Sequence, residues 1–174
     1  MTSPGFTLRR PHAVDDAHID GLAGVLVDCV EGGASVGYLS PFSHDEARHV
    51  YEVYAGEVEQ SRRILLAAFS ESALVGTAQI VFPPHPNQPH RADVARVLVR
   101  RFARRRGIAQ RLMEEVERQA LAEGRTLLVL DTVTGDDAER LYDRLGWTKV
   151  GVIPGFALYP DGRPCDTTVF YKAL

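Results

Sequence analysis

Apolar residues recur at the spacing of an α-helix in four stretches of the chain. The predicted helices span about residues 15–30, 43–60, 108–123 and 136–145. Asp15 can cap the first helix, and Ser43 with Glu46 fits a capping box at the start of the second. Gly124 and Gly146 follow the third and fourth helices, where glycine commonly ends a helix.

Seven other apolar stretches have the length and composition of strands. They lie at about residues 6–10, 64–69, 74–82, 91–99, 127–130, 147–159 and 165–171. The second and third form a predicted hairpin around Glu71-Ser72. The run at 127–130 is entirely apolar and lies between two helices, so we predict a strand that is buried on both faces. The chain has no linker-like boundary, which predicts a single α/β domain over residues 1–174.

The charge distribution favours a small anionic ligand over nucleic acid. The chain carries a net charge of −3 and has a pI near 6.1, whereas nucleic-acid binders are usually basic. Its arginines are concentrated between Arg91 and Arg111, so the positive field is local. We therefore expect no nucleic-acid partner.

Neither cysteines nor histidines form a pattern typical of disulfides or metal sites. Cys29 and Cys165 are expected to be reduced thiols, and we expect no metal ligands. The longest apolar runs are too short to cross a bilayer, and residues 1–10 lack the apolar segment of a secretory signal. These features predict a cytoplasmic protein with no membrane partner.

The stretch from Val94 to Ala120 predicts an anion-binding strand–turn–helix. Gly107 falls where the helix begins, and the first turn of a helix has backbone N–H groups without intrahelical partners. A glycine lets a phosphate approach these groups closely, and Arg104, Arg105 and Arg106 add positive charge. A diphosphate is the ligand that this arrangement favours. The chain contains neither a P-loop nor a Gly-x-Gly-x-x-Gly fingerprint.

The pattern Arg104-x-x-Gly107-x-Ala109 resembles the acyl-CoA pyrophosphate loop of the GNAT superfamily of N-acyltransferases. Ala138-x-x-x-Tyr142-x-x-x-Gly146-Trp147 resembles the second motif of that superfamily, with Trp147 in place of phenylalanine. The resemblance implies a GNAT fold, with a central mixed, twisted sheet of about six or seven strands and about four flanking helices. Gly135 stands where the family often has asparagine, so any cofactor contact of that side chain must be lost or replaced.

Within the superfamily, the chain is most similar to the tabtoxin resistance acetyltransferase type. The similarity rests on residues 31–38, on Leu130-Asp131-Thr132, on residues 150–156 and on Pro160-Asp161-Gly162. It implies transfer of an acetyl group from acetyl-CoA to a primary amine of a small molecule, such as a toxin, an antibiotic or an amino-acid-like compound. Subtype membership does not fix the acceptor.

This reaction needs an acid for the leaving thiolate and a base for the amine. Tyr142 matches the motif position and is the candidate acid, although it also lies on the apolar face of its helix. Asp131 directly follows a buried strand and is the candidate base. It could equally cap the next turn. Asp93 is the rival base, because some family members have a catalytic glutamate on this strand.

The resemblance also implies where the two substrates bind. The cofactor should contact the strand through Val97, Leu98 and Val99, and its diphosphate should lie against Arg104, Arg105, Arg106, Gly107, Ile108 and Ala109. Arg100 or Arg101 is expected to be solvated. Ser35 and Tyr38, with Asp93, are the candidates for acceptor binding, and the loop that carries the first two could equally be a plain connector.

Two other functions stay open at this point. The acceptor could instead be a protein N-terminus or a lysine, in which case the acceptor groove would be open and extended. The chain could also be a CoA-binding sensor without catalytic activity, an alternative that Gly135 keeps open and that Tyr142 and Asp131 oppose. The sequence does not set the oligomeric state, and a homodimer is one of the options.

Overall fold

A computed structural model describes residues 5–174. Seven strands and four helices follow one another along the chain. They are β1 (Thr7–Arg9), α1 (Asp16–Glu31), α2 (His44–Glu59), β2 (Arg63–Ser70), β3 (Ala73–Val81), β4 (Arg91–Val99), α3 (Ile108–Ala122), β5 (Leu127–Val133), α4 (Asp137–Arg144), β6 (Thr148–Leu158) and β7 (Pro164–Ala173).

The strands form one mixed sheet in the order β1-β2-β3-β4-β5-β7-β6. The pair β4–β5 is parallel, and the other five neighbouring pairs are antiparallel. A parallel pair needs a crossover connection, which α3 provides. The predicted α/β fold, with its mixed sheet and four helices, is therefore confirmed.

Both faces of the sheet are covered by helices. Along β2, Ile64 and Leu66 belong to the core that includes residues of α3 and α4, whereas Leu65 and Ala67 belong to the core beneath α1 and α2. This alternation is what the two-residue period of a strand produces when both faces are buried. The apolar run at residues 64–69 therefore contributes side chains to both cores.

The residues predicted to cap or end the helices do so in the structure. Asp15 accepts a hydrogen bond from His18 N at 2.9 Å, and Ser43 and Glu46 form the predicted capping box. Gly124 follows α3 in the left-handed region, at φ 72°. These contacts satisfy helix-end groups that would otherwise lack partners.

Two predictions about β5 were wrong. The strand continues to Val133, so Asp131 lies within it rather than at its end. Leu127 and Val129 are only partly buried, and burial alternates along the strand instead of covering both faces. The reason is β7, which pairs with β5 from Leu127 to Val133 and extends it beyond its apolar run.

Candidate functional site

The sheet opens between its two parallel strands. β4 and β5 pair only through Arg91–Asp93 and Leu127–Val129. Beyond these residues β4 stays paired with β3, and β5 with β7, but not with each other. We call the opening between residues 94–99 and 130–133 the strand gap. Its walls carry backbone groups that no neighbouring strand uses, and it lies at the carboxyl ends of the parallel strands, where α/β sheets bind ligands.

A β-bulge lies on the β4 wall of the strand gap. Gln79 pairs with Ala95 and Thr77 with Leu98, so β4 contains one residue more than β3 over this step. Arg96 takes up the extra length with a φ of 53°, which is uncommon for a residue with a side chain. A bulge bends its strand and increases the local twist. It therefore accounts for the departure of β4 from the line of β5.

The beginning of α3 presents a row of free amides close to the strand gap. Gly107 precedes the helix at φ 78°, and Arg105 lies at φ 63°. The first backbone N–H of α3 with an i to i−4 hydrogen bond is that of Arg111, which donates to Gly107 O at 3.0 Å. Within residues 5–174, the N–H groups of residues 105–110 have no acceptor, and no side chain caps the helix. Nothing lies within 4 Å of the point where a Gly107 Cβ would stand.

The three arginines before Gly107 lie on the surface around these amides. Arg104 Nε donates to Val99 O at 3.2 Å, and Arg105 forms an ion pair with Asp137 of α4 at 3.2 Å. Arg106 is exposed. After the amides, Ile108 is buried in the core and Ala109 is partly buried. Positive charge and free amides thus share one surface.

Of the two arginines expected to be solvated, Arg101 is exposed and Arg100 is not. Arg100 is partly buried and its Nη2 lies 3.5 Å from Gly21 O of α1. Arg101 binds Asp28 through its backbone N at 2.7 Å and through Nε at 2.9 Å. A short 3₁₀ turn over Arg101–Ala103 directs both side chains to α1.

Tyr142 of α4 is buried, with its ring packed against Trp147 and Phe170. Burial, followed by the negative charge of Asp131, raises the pKa of the Tyr142 phenol. The phenol therefore stays protonated at neutral pH and can donate a proton. Asp131 is thus near enough to Tyr142 for its charge to act on the phenol.

The two candidate carboxylates differ in their partners. Asp93 forms an ion pair with Arg91 at 2.7 Å, at the last position where β4 pairs with β5. The Asp131 side chain has no ion pair or hydrogen-bond donor from another side chain among the described residues. Desolvation raises the pKa of Asp131, the Arg96 charge opposes this shift, and the Asp93 charge adds to it. Asp131 is thus the carboxylate of the two whose oxygens are free to accept a proton from a substrate.

The loop between α1 and α2 forms a wall next to β4. Ser35 Oγ donates to Leu158 O at 2.6 Å, so its proton is used to hold the loop against β6. Tyr38 stacks on Phe42 with ring centroids 4.4 Å apart. The role of either residue in acceptor binding stays a prediction, as does that of Asp93.

Arg96 is the residue of this site that the sequence did not reveal. Its guanidinium donates to Val36 O of the loop and lies 3.5 Å from Tyr38 Oη and 3.4 Å from Tyr54 Oη. The available signal was a single arginine within the otherwise apolar stretch Val94–Val99. It was hidden among the neighbouring arginines that follow this strand.

Comparison with known proteins identifies the family. A model of the acetyltransferase (GNAT) family matches residues 34–147, which is more than half of the chain. The chain belongs to the GNAT acetyltransferase family. It is accordingly an acyltransferase that uses acetyl-CoA as a co-substrate. The free amides before α3 and the strand gap agree with that ligand.

One relative and two solved structures of other proteins are similar to this GNAT chain over most of its length. The chain is 31% identical to an uncharacterised N-acetyltransferase of the hisH–hisA intergenic region of Azospirillum brasilense, over 72% of this chain and 74% of the relative. The yncA protein of Salmonella typhimurium, solved with its cofactor acetyl-CoA, aligns with a TM-score of 0.79 and 18% identity over 98% of this chain and 94% of its own. A ribosomal-protein-alanine N-acetyltransferase of Brucella melitensis gives a TM-score of 0.80 and 22% identity over 97% and 99%. At these identities the two structures show the GNAT fold alone.

Two further properties of the described residues concern metal sites and membrane-spanning helices. In residues 5–174, no three His, Cys, Asp or Glu side chains are grouped so that they could hold a metal ion. No helix of this part of the GNAT chain is long and apolar enough to span a membrane.

A buried glutamate holds the start of α4, and with it Tyr142. Glu139 accepts hydrogen bonds from Gly135 N, from Lys149 Nζ at 2.8 Å and from Thr168 Oγ1 at 3.0 Å. Gly135, at φ 85°, stands where other GNAT proteins often have asparagine, and its amide ties the turn to the helix. The hydrogen bond from Lys149 is the main reason why the pKa of Glu139 is lowered.

Glu139→Gln should destabilise the protein by about 1–3 kcal/mol at neutral pH, because it removes a charged acceptor from a buried network. A lowered pKa means that this stabilisation is complete above the unfolded value near 4.5 and is lost as the pH falls through the folded value. The free energy of unfolding of both proteins is measured with denaturant at several pH values. The difference between the two should become smaller below pH 4.5. A difference that is constant with pH would contradict this account, and Glu114→Gln on the exposed face of α3 is the control.

Proposed function

We propose that the enzyme acetylates a primary amine of a small molecule, such as a toxin, an antibiotic or an amino-acid-like compound. One observation carries the proposal: Asp131, a carboxylate without a side-chain partner, lies on the β5 wall of the strand gap, and its charge acts on the protonated phenol of Tyr142. These are the base and the acid that attack of an amine on a thioester requires.

Acetyl-CoA would bind across the strand gap and the start of α3. Its diphosphate would accept hydrogen bonds from the amides of residues 105–110, with Arg104, Arg105 and Arg106 around it. Its pantetheine arm would run along Val97, Leu98 and Val99, where the edge of β4 beside β5 has no strand partner. Backbone groups on this edge can also receive the thioester oxygen.

The reaction then proceeds by direct transfer. Asp131 takes a proton from the substrate ammonium, and the freed nitrogen lone pair attacks the thioester carbon. The carbonyl oxygen gains the negative charge and returns it as the C–S bond breaks. Tyr142 gives its proton to the departing thiolate of CoA. The acetylated nitrogen then loses its surplus proton, which restores the phenol through solvent, and Asp131 releases its own proton to solvent. The products are an amide and the free thiol.

The small-molecule acceptor is supported by the wall formed by residues 32–38, since Tyr38 and Ser35 are fixed by contacts within the protein. These residues also carry part of the similarity to the tabtoxin resistance type. On that similarity we propose that this enzyme has a role in resistance. The alternative acceptor is a protein N-terminus or a lysine, and one structure with this fold is that of a ribosomal-protein-alanine N-acetyltransferase.

We further propose that residues 1–174 form a single N-acetyltransferase domain that works in the cytoplasm. Cys29 and Cys165 are both unpaired, which agrees with a reducing compartment. The edge strand β6 exposes Val150, Val152 and Phe156, and such a surface supports a homodimer.

A panel of amines tests the proposed function. The protein is incubated with acetyl-CoA and small amines, free amino acids and peptides with free N-termini, and thiol release is measured together with the mass of each product. We expect a gain of one acetyl group on a small amine. Preference for peptides would select the protein-acceptor alternative. Binding of CoA without thiol release for any amine would show a sensor.

Tyr142→Phe should lower kcat by about 10²-fold or more, because the thiolate loses its proton donor. The KM for acetyl-CoA should stay close to the wild-type value, since the ring keeps its packing. Initial rates of thiol release measure both constants. Tyr171→Phe on the exposed side of β7 is the matched control. Wild-type turnover in Tyr142→Phe would remove this residue from the mechanism.

The pH dependence of kcat/KM should identify the base. Asp131 has a raised pKa, so the acidic limb of the wild-type profile should lie above the ordinary value of 3.8. Asp131→Asn should abolish this limb and lower the rate by about 10²- to 10⁴-fold. Asp93→Asn should keep the limb and move it to lower pH, because the Asp93 charge contributes to raising the pKa of Asp131. Loss of the limb in Asp93→Asn alone would assign the base to Asp93.

A further inference from the structure

The guanidinium of Arg96 is a partly buried charge without a countercharge. No carboxylate oxygen within residues 5–174 lies within 4.0 Å of it. Its hydrogen-bond partners are neutral: Val36 O, Tyr38 Oη and Tyr54 Oη. Buried charges in proteins are normally paired, because water no longer stabilises them.

The donors of Arg96 are also incompletely used. Nε is buried and has no partner. The two tyrosine contacts of Nη2, at 3.5 and 3.4 Å, are long for hydrogen bonds. Tyr51 Oη, a second buried atom without a partner, belongs to the same cluster, since the Arg96 charge acts on it. An anionic group is therefore the ligand that this cluster lacks.

The position of Arg96 connects the cluster to the strand gap. It is the bulged residue of β4, one position before the stretch Val97–Val99 proposed to face the pantetheine arm. Its charge also acts on Asp131 across the gap, without forming an ion pair with it. A carboxylate without a side-chain partner and a guanidinium without a countercharge thus belong to the two opposite walls of the strand gap.

We propose that Arg96 binds a carboxylate, or a similar acid group, of the acceptor. The substrate would then be an amino-acid-like zwitterion, with its ammonium group at Asp131 and its acid group at Arg96, Tyr38 and Tyr54. This inference rests on the proposed acetyltransferase function and narrows its acceptor class. A guanidinium offers parallel donors that match the two oxygens of a carboxylate.

The test compares acids with their amides as acceptors. L-Methionine, 3-aminopropanoate and 5-aminopentanoate are each paired with the corresponding carboxamide and assayed by thiol release from acetyl-CoA. We expect the wild-type enzyme to prefer at least one acid over its amide by about 10- to 100-fold in kcat/KM. Equal rates, or a preference for amides, would overturn the inference and leave the proposed function standing. The absence of turnover with every acid and amide, and with the wider amine panel, would overturn both.

Substitution of Arg96 distinguishes binding of the acceptor's acid group from structural support of the loop that contains Val36 and Tyr38. Arg96→Gln should raise the KM for the preferred acid and leave the KM for its amide nearly unchanged, and Arg96→Lys should recover part of the preference. Arg118→Gln, which removes an exposed arginine of α3, is the control. An equal loss on acid and amide would show that Arg96 only supports the loop, which overturns the inference. If Arg96→Gln does not fold, the comparison of acids and amides in the wild type decides alone.

Discussion

The short parallel pairing between β4 and β5 is the constraint on which the functional part of the molecule depends. Hydrogen bonds join these strands for three residues on each side, and then each strand stays with its outer neighbour. Antiparallel pairing with β3 and β7 carries the two strands apart and keeps their inner edges free. The next helix after β4 is α3, and the next after β5 is α4. The divergence of the two strands therefore sets the distance between the free amides before α3 and Tyr142 on α4.

Several local rules of stability are broken around this opening. Arg96 and Arg105 adopt positive φ, α3 begins without a side-chain cap, and Asp131 is partly desolvated without a partner. Elsewhere α1 and α2 are capped and both faces of β2 are buried. Such a concentration of unsatisfied groups is typical of a functional site, because a ligand can supply the missing partners.

The sequence predicted the features that depend on neighbouring residues. The capping box at Ser43, the bounds of β4 and the glycine before α3 all follow from local patterns, and the structure has them. The length of β5, the direction of Arg101 and the buried network of Glu139 depend on partners far along the chain. Asp28 lies 73 residues from Arg101, and Thr168 lies 29 residues from Glu139. Spacing within a segment carries no information about such partners.

The bulge in β4 brings the two proposed substrate sites together on a single strand. One extra residue places Arg96 against the loop of residues 34–38, and the next three residues form the edge proposed for the pantetheine arm. A shift of this strand would therefore move the acceptor wall and the cofactor edge together. Contacts made by the backbone edge do not depend on which residues form it, whereas the contacts of Arg96 depend on its side chain. If Arg96 binds the acceptor as proposed, a substitution at position 96 changes the acceptor and preserves the cofactor site, and the family alone does not fix the acceptor.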